Sequence, residues 1–415
     1  MKSTHLRHGC HVAAFFLFVL IAPAQVPDIK ALKARAEKSD AEAQYALGEM
    51  YVSGRGVPLN EIEAFYWSSK AAAQGHAKAQ YRQAALYFEG QGAKRDLPKA
   101  TELFTKSAAG LRKLAEKGDA DAQHKLANLH QRGLGVKQDG AEAIKWFKLA
   151  AEQKNAESQS ALGAMLLLGI GTEKNVAEGL KWTRTAAEAG NAQAQGNLAV
   201  MFRDGTGVER SQTEAVKWFR KGAEGGDVKC QFLLGTLHHT GGDGIPRDLA
   251  EAAKWYAKAA AQGHVKAQSE FGAMLLLGIG AEKDLKGGLI WTRKAAEASD
   301  AQAQDNLGII YRDAMGVAKD MTEAAKWIQR SAEQDFPPGM LNYGLLCFRG
   351  EGVKKDGAEA YKWLTLAIRR GESRAVGARN EVSKVLDPNE IFEGLQRAQK
   401  FAPKSAPSPD NASLK

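Results

Sequence analysis

Few residues in this chain are equipped for chemistry. His238-His239, with Cys230 upstream and Asp243 just downstream, gather two imidazoles, a thiol and a carboxylate. Those are the donor types that hold zinc. The other chemistry-bearing sequences are missing. There is no Ser-x-x-Lys or Gly-x-Ser-x-Gly nucleophile, no His-Glu-x-x-His, no phosphate-cradling Gly-x-x-x-x-Gly-Lys and no Cys-x-x-Cys. A Gly-x-Gly recurs along the chain but follows no strand pattern, so helix-linking turns explain it better than phosphate binding. Whether the His/Cys/Asp group is a metal site depends on the elements that would position it.

Composition bounds those elements. The 415 residues are 25% charged and 44% apolar, enough to build a core and too apolar for wholesale disorder. With 43 Gly, only 11 Pro and abundant Ala, helices separated by glycine turns are favoured. The formal charge of +9 is spread thinly, which gives no footprint for nucleic acid. Three cysteines cannot make a disulfide framework. Lys2 and Arg7 precede the apolar run Val12–Ala22, and Ala22-Pro23-Ala24 follows as a small-residue cleavage site. This predicts a signal peptide over 1–24 and an exported protein, periplasmic or secreted, with retention as an anchor the competing reading. The run is short for a membrane span, and none is expected after cleavage.

Internal periodicity decides the fold. The eight tryptophans, at 67, 146, 182, 218, 255, 291, 327 and 363, stand in one lattice, with five of seven gaps equal to 36 residues. Leu103 fills the vacancy in the long first gap, giving nine repeats with a seven-residue expansion around Leu111–Lys117. Loop glycines such as Gly133/Gly135 keep the same period, with Ala314 the exception and Gly244 serving a sixth repeat that carries one extra residue. Next stands Asn60, Asp96, Asp139, Asn175, Ser211, Asp248, Asp284, Asp320 or Asp356, all good helix N-caps. After each cap, sets such as Ala143/Trp146/Ala150 share one face of a second helix. Each hairpin is too thin to bury its own apolar face, so it must stack on its neighbours. The predicted fold is all-α: an α-solenoid, a right-handed superhelix of antiparallel helix pairs.

These residues resemble the Sel-1-like repeat, a relative of the tetratricopeptide repeat. The motif reads directly in Ala122-Gln123, Leu126-Ala127, Gly133-Leu-Gly-Val136, Asp139, Ala143, Trp146 and Ala150-Ala151. The resemblance spans roughly 36–369, as repeats near 36–75, 76–118, 119–154, 155–190, 191–226, 227–263, 264–299, 300–335 and 336–371. The second repeat departs from the pattern at Gln83 and Leu103, which predicts looser packing there. Residues 373–400 are expected to cap the last repeat, and the Pro/Ser-rich segment 401–415 to be disordered. Asn411-Ala-Ser413 is a formal glycosylation sequon, meaningful only in a eukaryotic secretory pathway. The resemblance implies a non-catalytic adaptor that holds one or more protein partners, in bacteria often in the envelope or outside the cell. Some family members carry a disulfide in every repeat and are described as acting on β-lactams. This chain lacks those cysteines.

The repeat also settles the opening question. Cys230 occupies a small-residue column, and His238 occupies the column of Tyr51, Phe202 and Tyr311. Packing accounts for both, so no metal, cofactor or catalytic residue is assigned. Cys347 shares that aromatic column three repeats from Cys230, too far for a disulfide.

In stacked hairpins the first helices line the concave surface, where variable columns are the natural recognition positions. The expected groove residues are Tyr45, Tyr81, His124, Gln131, Leu167, Arg203, Phe232, His239, Leu276 and Arg312. Gly-Ala-Met-Leu-Leu-Leu-Gly-Ile-Gly at 163–171 returns at 272–280, and Arg203-Asp204 returns as Arg312-Asp313. Leu167 and Leu276 are the expected apolar anchors, with burial by neighbouring helices the alternative. Two further function classes stay open: a β-lactamase-like or cell-wall-active enzyme, and a carbohydrate or peptidoglycan binder stacking sugars on Tyr45, Tyr81 and Phe232.

Overall fold

The computed structural model describes residues 28–242 and 245–404. The signal-peptide region, Asp243, Gly244 and the sequon at Asn411 lie outside the described residues. Between Ala150 and Ala151 the chain divides into two compact units. The first opens with α1 (Ile29–Glu37) and continues as helix pairs: α2 (Ala41–Ser53) with α3 (Glu61–Ala73), α4 (Ala77–Glu89) with α5 (Leu97–Glu116), and α6 (Ala120–Arg132) with α7 (Gly140–Glu152). The second holds α8 (Ala156–Leu168) with α9 (Val176–Glu188), α10 (Ala192–Asp204) with α11 (Gln212–Glu224), and α12 (Val228–Thr240) with α13 (Leu249–Ala261). It continues with α14 (Val265–Leu277) and α15 (Leu285–Glu297), α16 (Ala301–Arg312) and α17 (Met321–Glu333), then α18 (Pro337–Arg349) and α19 (Gly357–Arg369). Helices α20 (Arg374–Ser383) and α21 (Pro388–Gln399) follow. The fold is an all-α solenoid.

Local chemistry cuts the chain at these points. All nine expected caps open a second helix by accepting backbone N–H groups from its first turn, as Asp139 does from Glu142 at 3.0 Å. Each such cap is worth about 1 kcal/mol. First helices end on a glycine in the left-handed region, Gly133 at φ 66° for example. Ala314 must adopt φ 56° in the repeat that lacks this glycine. The seven-residue expansion is absorbed inside α5, which has 20 residues where its counterparts have 13. That adds two turns, with Leu111 and Ala115 buried on the added face.

A glutamine at the fourth position of the first helix ties eight of the nine hairpins to the helix before it; the ninth has Met340 there. Gln44, Gln80, Gln123, Gln159, Gln195, Gln231, Gln268 and Gln304 donate to a carbonyl eight residues upstream, such as Ala115 O from Gln123 at 3.0 Å. These carbonyls end a helix, where they also accept a backbone N–H from the following turn, as Ala115 O does from Gly118 at 3.0 Å, and the glutamine adds a second donor. Gln74, Gln262 and Gln334 then donate to the Oε1 of Gln44, Gln231 and Gln304. For Gln159 and Gln195 the residues at that place are Ala189 and Gly225, and their Oε1 atoms have no partner.

None of the eight indoles is exposed. Trp67, Trp146, Trp218, Trp255 and Trp363 are buried, and Trp182, Trp291 and Trp327 are half-buried. Their neighbours are the expected ones. Trp67 packs against Leu32 and Ala36 of α1, Trp255 clusters with Leu198 and Trp218 of the preceding pair, and Trp363 with Ala325 and Ile328. A cation covers the outer ring face, as Lys258 does over Trp255 at 4.1 Å. The second repeat is satisfied at its departures. Gln83 donates to Ser69 at 2.9 Å and Phe104, beside Leu103, is 3% exposed.

The expected disordered tail starts too early. Phe401 sets its ring 5.1 Å from Trp363, and the Lys404 amide donates to Glu333 O at 2.7 Å, so 401–404 lie against the last pairs. An aromatic at the head of a Pro/Ser-rich run was enough to hold it down.

Candidate functional site

In unit 1 the seam between α2, α4 and α6 is closed by rings and ions. Tyr45 is buried, its ring 5.0 Å from His76, and its hydroxyl donates to Asp121 at 3.1 Å. Burial, with Glu49 and Asp121 nearby, holds that phenol well above its usual range. Arg82 grips both carboxylate oxygens of Glu49 at 2.5 and 2.6 Å, a bidentate fork of the strong kind. Lys125 pairs with Asp121 and sits 5.7 Å from the Tyr45 ring and 5.8 Å from Tyr81. Lys78 reaches Asp119 at 2.7 Å. Burial opposes the charge on Asp121, but Lys125 and Lys78 outweigh it and hold the carboxyl below its usual range. Tyr81 packs on Phe104 with centroids 5.4 Å apart, and His124 on Phe147 at 5.6 Å.

The seam of unit 2 is emptier. At the fifth position of the first helix, where unit 1 has Tyr45, Tyr81 and His124, stand Ser160, Gly196, Phe232, Ser269, Asp305 and Leu341. Phe232 is stacked on His264 at 4.4 Å and lies 5.8 Å from Tyr256. Asp305 is buried, both oxygens accepting from Asn342 at 2.9 and 3.0 Å. Burial pushes its carboxyl up to about 6, against the pull of Asn342 and the arginines Arg312 and Arg374. At Gly196 there is a hollow of about 240 Å³, lined by Val200, Phe219, Cys230 and Leu233 together with the polar Gln193, Asn197, Asp227 and Lys229.

The expected groove residues therefore do not form one open surface. The fifth-position residues Tyr45, Tyr81, His124 and Phe232 are packed into the seams. Gln131 is half-buried and its carbonyl accepts from Gln138 at 2.9 Å. Arg203 and Arg312 fold onto their own neighbours Asp204 and Asp313, each at 2.7 Å. His239 stands edge-on to Tyr256 at 6.1 Å. The expected leucine anchors need correction. Leu276 is 5% exposed, and Leu167 is half-buried. They lie over Gly288 and Gly179, filling the space where a side chain would begin. The exposed members of the duplicated run are Leu168 at 70% and Leu277 at 62%, followed by Ile170 and Ile279. A phase argument could have found them: Leu167 stands four residues after the buried Gly163, on the same helical face.

Among the described residues, no group of three or more His, Cys, Asp or Glu side chains is placed to hold a metal ion. Cys230 and Cys347 are free and buried. Burial pushes both thiols up, Cys347 to about 12, so neither resembles an activated nucleophile. His238 is buried in its aromatic column.

The Sel1 repeat family matches nine segments: 41–76, 77–110, 120–155, 156–191, 192–227, 228–264, 265–300, 301–336 and 337–372. The chain belongs to the Sel1 repeat family. A protective antigen of uropathogenic Escherichia coli strains with an SLR fold is 30% identical, at a TM-score of 0.61, over 93% of this chain and 82% of that one. A Sel1 repeat protein from Oxalobacter formigenes is also 30% identical, at a TM-score of 0.50, over 55% of this chain and 93% of its own. No curated protein matches the sequence. The second Sel1 segment ends at 110, leaving out the extra turns of α5.

Proposed function

We propose that this Sel1 repeat protein is an exported, non-catalytic scaffold that binds a partner protein across its first helices. Sel1 repeat proteins often serve as protein-interaction scaffolds, and the first-helix positions here vary against a fixed frame of caps, glutamines and tryptophans. The observation that carries the reading is the pair of exposed apolar runs, Leu168/Ile170 and Leu277/Ile279, presented twice by the same duplicated sequence at the end of a first helix. Exposed apolar side chains recurring in register suit a partner more than a solvent. Export rests on the amino-terminal pattern of Lys2, Arg7, Val12–Ala22 and Ala22-Pro23-Ala24.

The carbohydrate reading is weakened because the rings meant to stack on sugar are engaged: Tyr45 with His76 and Asp121, Tyr81 with Phe104, Phe232 with His264. The test is partner capture from envelope extracts by Leu168→Glu/Leu277→Glu, set beside Tyr66→Glu/Ile290→Glu, which alters exposed second-helix positions. The first variant should lose a stoichiometric protein partner with helicity unchanged, and the second should keep it. The reverse result, or retention on peptidoglycan alone, contradicts the proposal.

A further inference from the structure

The hollow at Gly196 has an internal template in the other repeats. At the eighth position of the second helix, aromatic rings stand at Phe104, Phe147, Phe219 and Tyr256. Three of the four are met by a ring from the fifth position of their own first helix: Tyr81 at 5.4 Å, His124 at 5.6 Å and Phe232 at 5.8 Å. The fourth, Phe219, faces Gly196 and the hollow. Ring pairs of this kind stabilise beyond the area they bury, so Phe219 offers a stacking partner that the chain leaves unused.

The chain cannot supply the missing ring. A Cβ on Gly196 would come within 2.7 Å of Cys230 Sγ. Where Tyr81 and Phe232 carry rings, the residues in the place of Cys230 are Ala122 and Ala267. Cys230 and Gly196 thus act together: the thiol takes the room a side chain would need to start, and the hollow beyond stays open. Val200, Phe219 and Leu233 give it an apolar wall, Gln193, Asp227 and Lys229 line it as well, and the Asn197 amide beside them has no hydrogen-bond partner among the described residues.

We propose that this hollow takes an aromatic side chain, phenylalanine or tyrosine, presented by a partner segment that crosses α10 and α12. The ring stacks on Phe219 between Val200 and Leu233, and the Asn197 amide bonds the main chain of that segment. This rests on the reading of the first helices as the recognition face, and it names the partner feature read there.

The test uses N-acetyl-phenylalaninamide, N-acetyl-tyrosinamide and N-acetyl-alaninamide as probes on the full chain, followed by methyl NMR. The aromatic amides should give saturable shifts at the Val200 and Leu233 methyls and bind about tenfold tighter than the alanine amide. Cys230→Ala, which thins one wall of the hollow, is measured alone and should weaken that binding without abolishing it. The double variant Gly196→Tyr/Cys230→Ala, which rebuilds the pattern of repeat 2, should abolish it while melting no earlier than the parent. If that variant melts early, Val200→Phe narrows the same hollow and makes the same comparison. Equal binding of the alanine amide, shifts away from the hollow, or shifts that survive filling would overturn the proposal. Partner capture that survives filling overturns this assignment alone; loss of capture by Leu168→Glu/Leu277→Glu is read separately and tests the wider reading.

Discussion

The first-helix seams of the two units solve the same packing problem in opposite ways. Unit 1 fills its seam from within, with Tyr45 and Tyr81 under Lys125 and a fork between Arg82 and Glu49. Unit 2 puts serine, glycine and a buried aspartate at four of its six corresponding positions, with Phe232 and Leu341 at the other two, and keeps a hollow beside Phe219. Even the carboxylates differ. Asp121 has lysines against it and titrates low, whereas Asp305 faces the amide of Asn342 and titrates high. A seam already filled is a structural element, and a seam left open is a place where something else can bind.

That contrast can be broken by hollowing unit 1. Tyr81→Ala removes the ring that packs on Phe104 and should cost about 3 kcal/mol in urea unfolding. A loss under about 0.5 kcal/mol would show that the filled seam contributes nothing. The carboxylates sharpen the contrast through pH. Asp305 titrates near 6 in the fold against 3.8 in a free chain, so the folded protein holds its proton more tightly. The stabilisation is complete below 3.8 and is lost as pH rises through 6, by about 2–3 kcal/mol. Asp305→Asn should flatten that part of the stability–pH curve, and an unchanged curve would rule the role out.

Smaller effects run the other way. Gly196→Tyr/Cys230→Ala makes unit 2 resemble unit 1 and should stabilise it by roughly 1–2 kcal/mol, from helix propensity and the restored ring pair. Ala189→Gln supplies the donor that Gln159 Oε1 lacks, for a gain of about 1 kcal/mol by the same urea measurement. Ala314→Gly relieves the positive φ in the eighth repeat and should add about 0.5–1 kcal/mol; a loss there would show the conformation to be unstrained.

Much of this architecture was legible in the sequence because it is a matter of period. Tryptophans 36 residues apart, nine caps and paired loop glycines can only be satisfied together by stacked helical hairpins, and the caps formed at the nine predicted residues. The glutamine column was equally visible in Gln123 and its counterparts, but its role needs the carbonyl of the preceding helix, which periodicity alone does not supply. The recognition positions were harder. Spacing placed Tyr45, Tyr81 and Phe232 on the correct helices but could not say whether a ring faces water or a neighbouring helix. Leu167 and Leu276 were misplaced for a related reason: Gly179 and Gly288 leave room for them on the second helix, a pairing seen only when both helices are in view. The hollow at Gly196 was hidden most deeply. It follows from three residues in three helices, Gly196, Phe219 and Cys230, none unusual by itself.

The most direct test of the central claim is site-specific photo-crosslinking in cells that produce the protein. A photoreactive residue at Asn197, on the rim of the open seam, is compared with one at Thr185 on the second-helix side, exposed in the structure. The account predicts a discrete protein adduct from position 197 and none from 185. An adduct from 185 alone, or equal labelling from both, would contradict it.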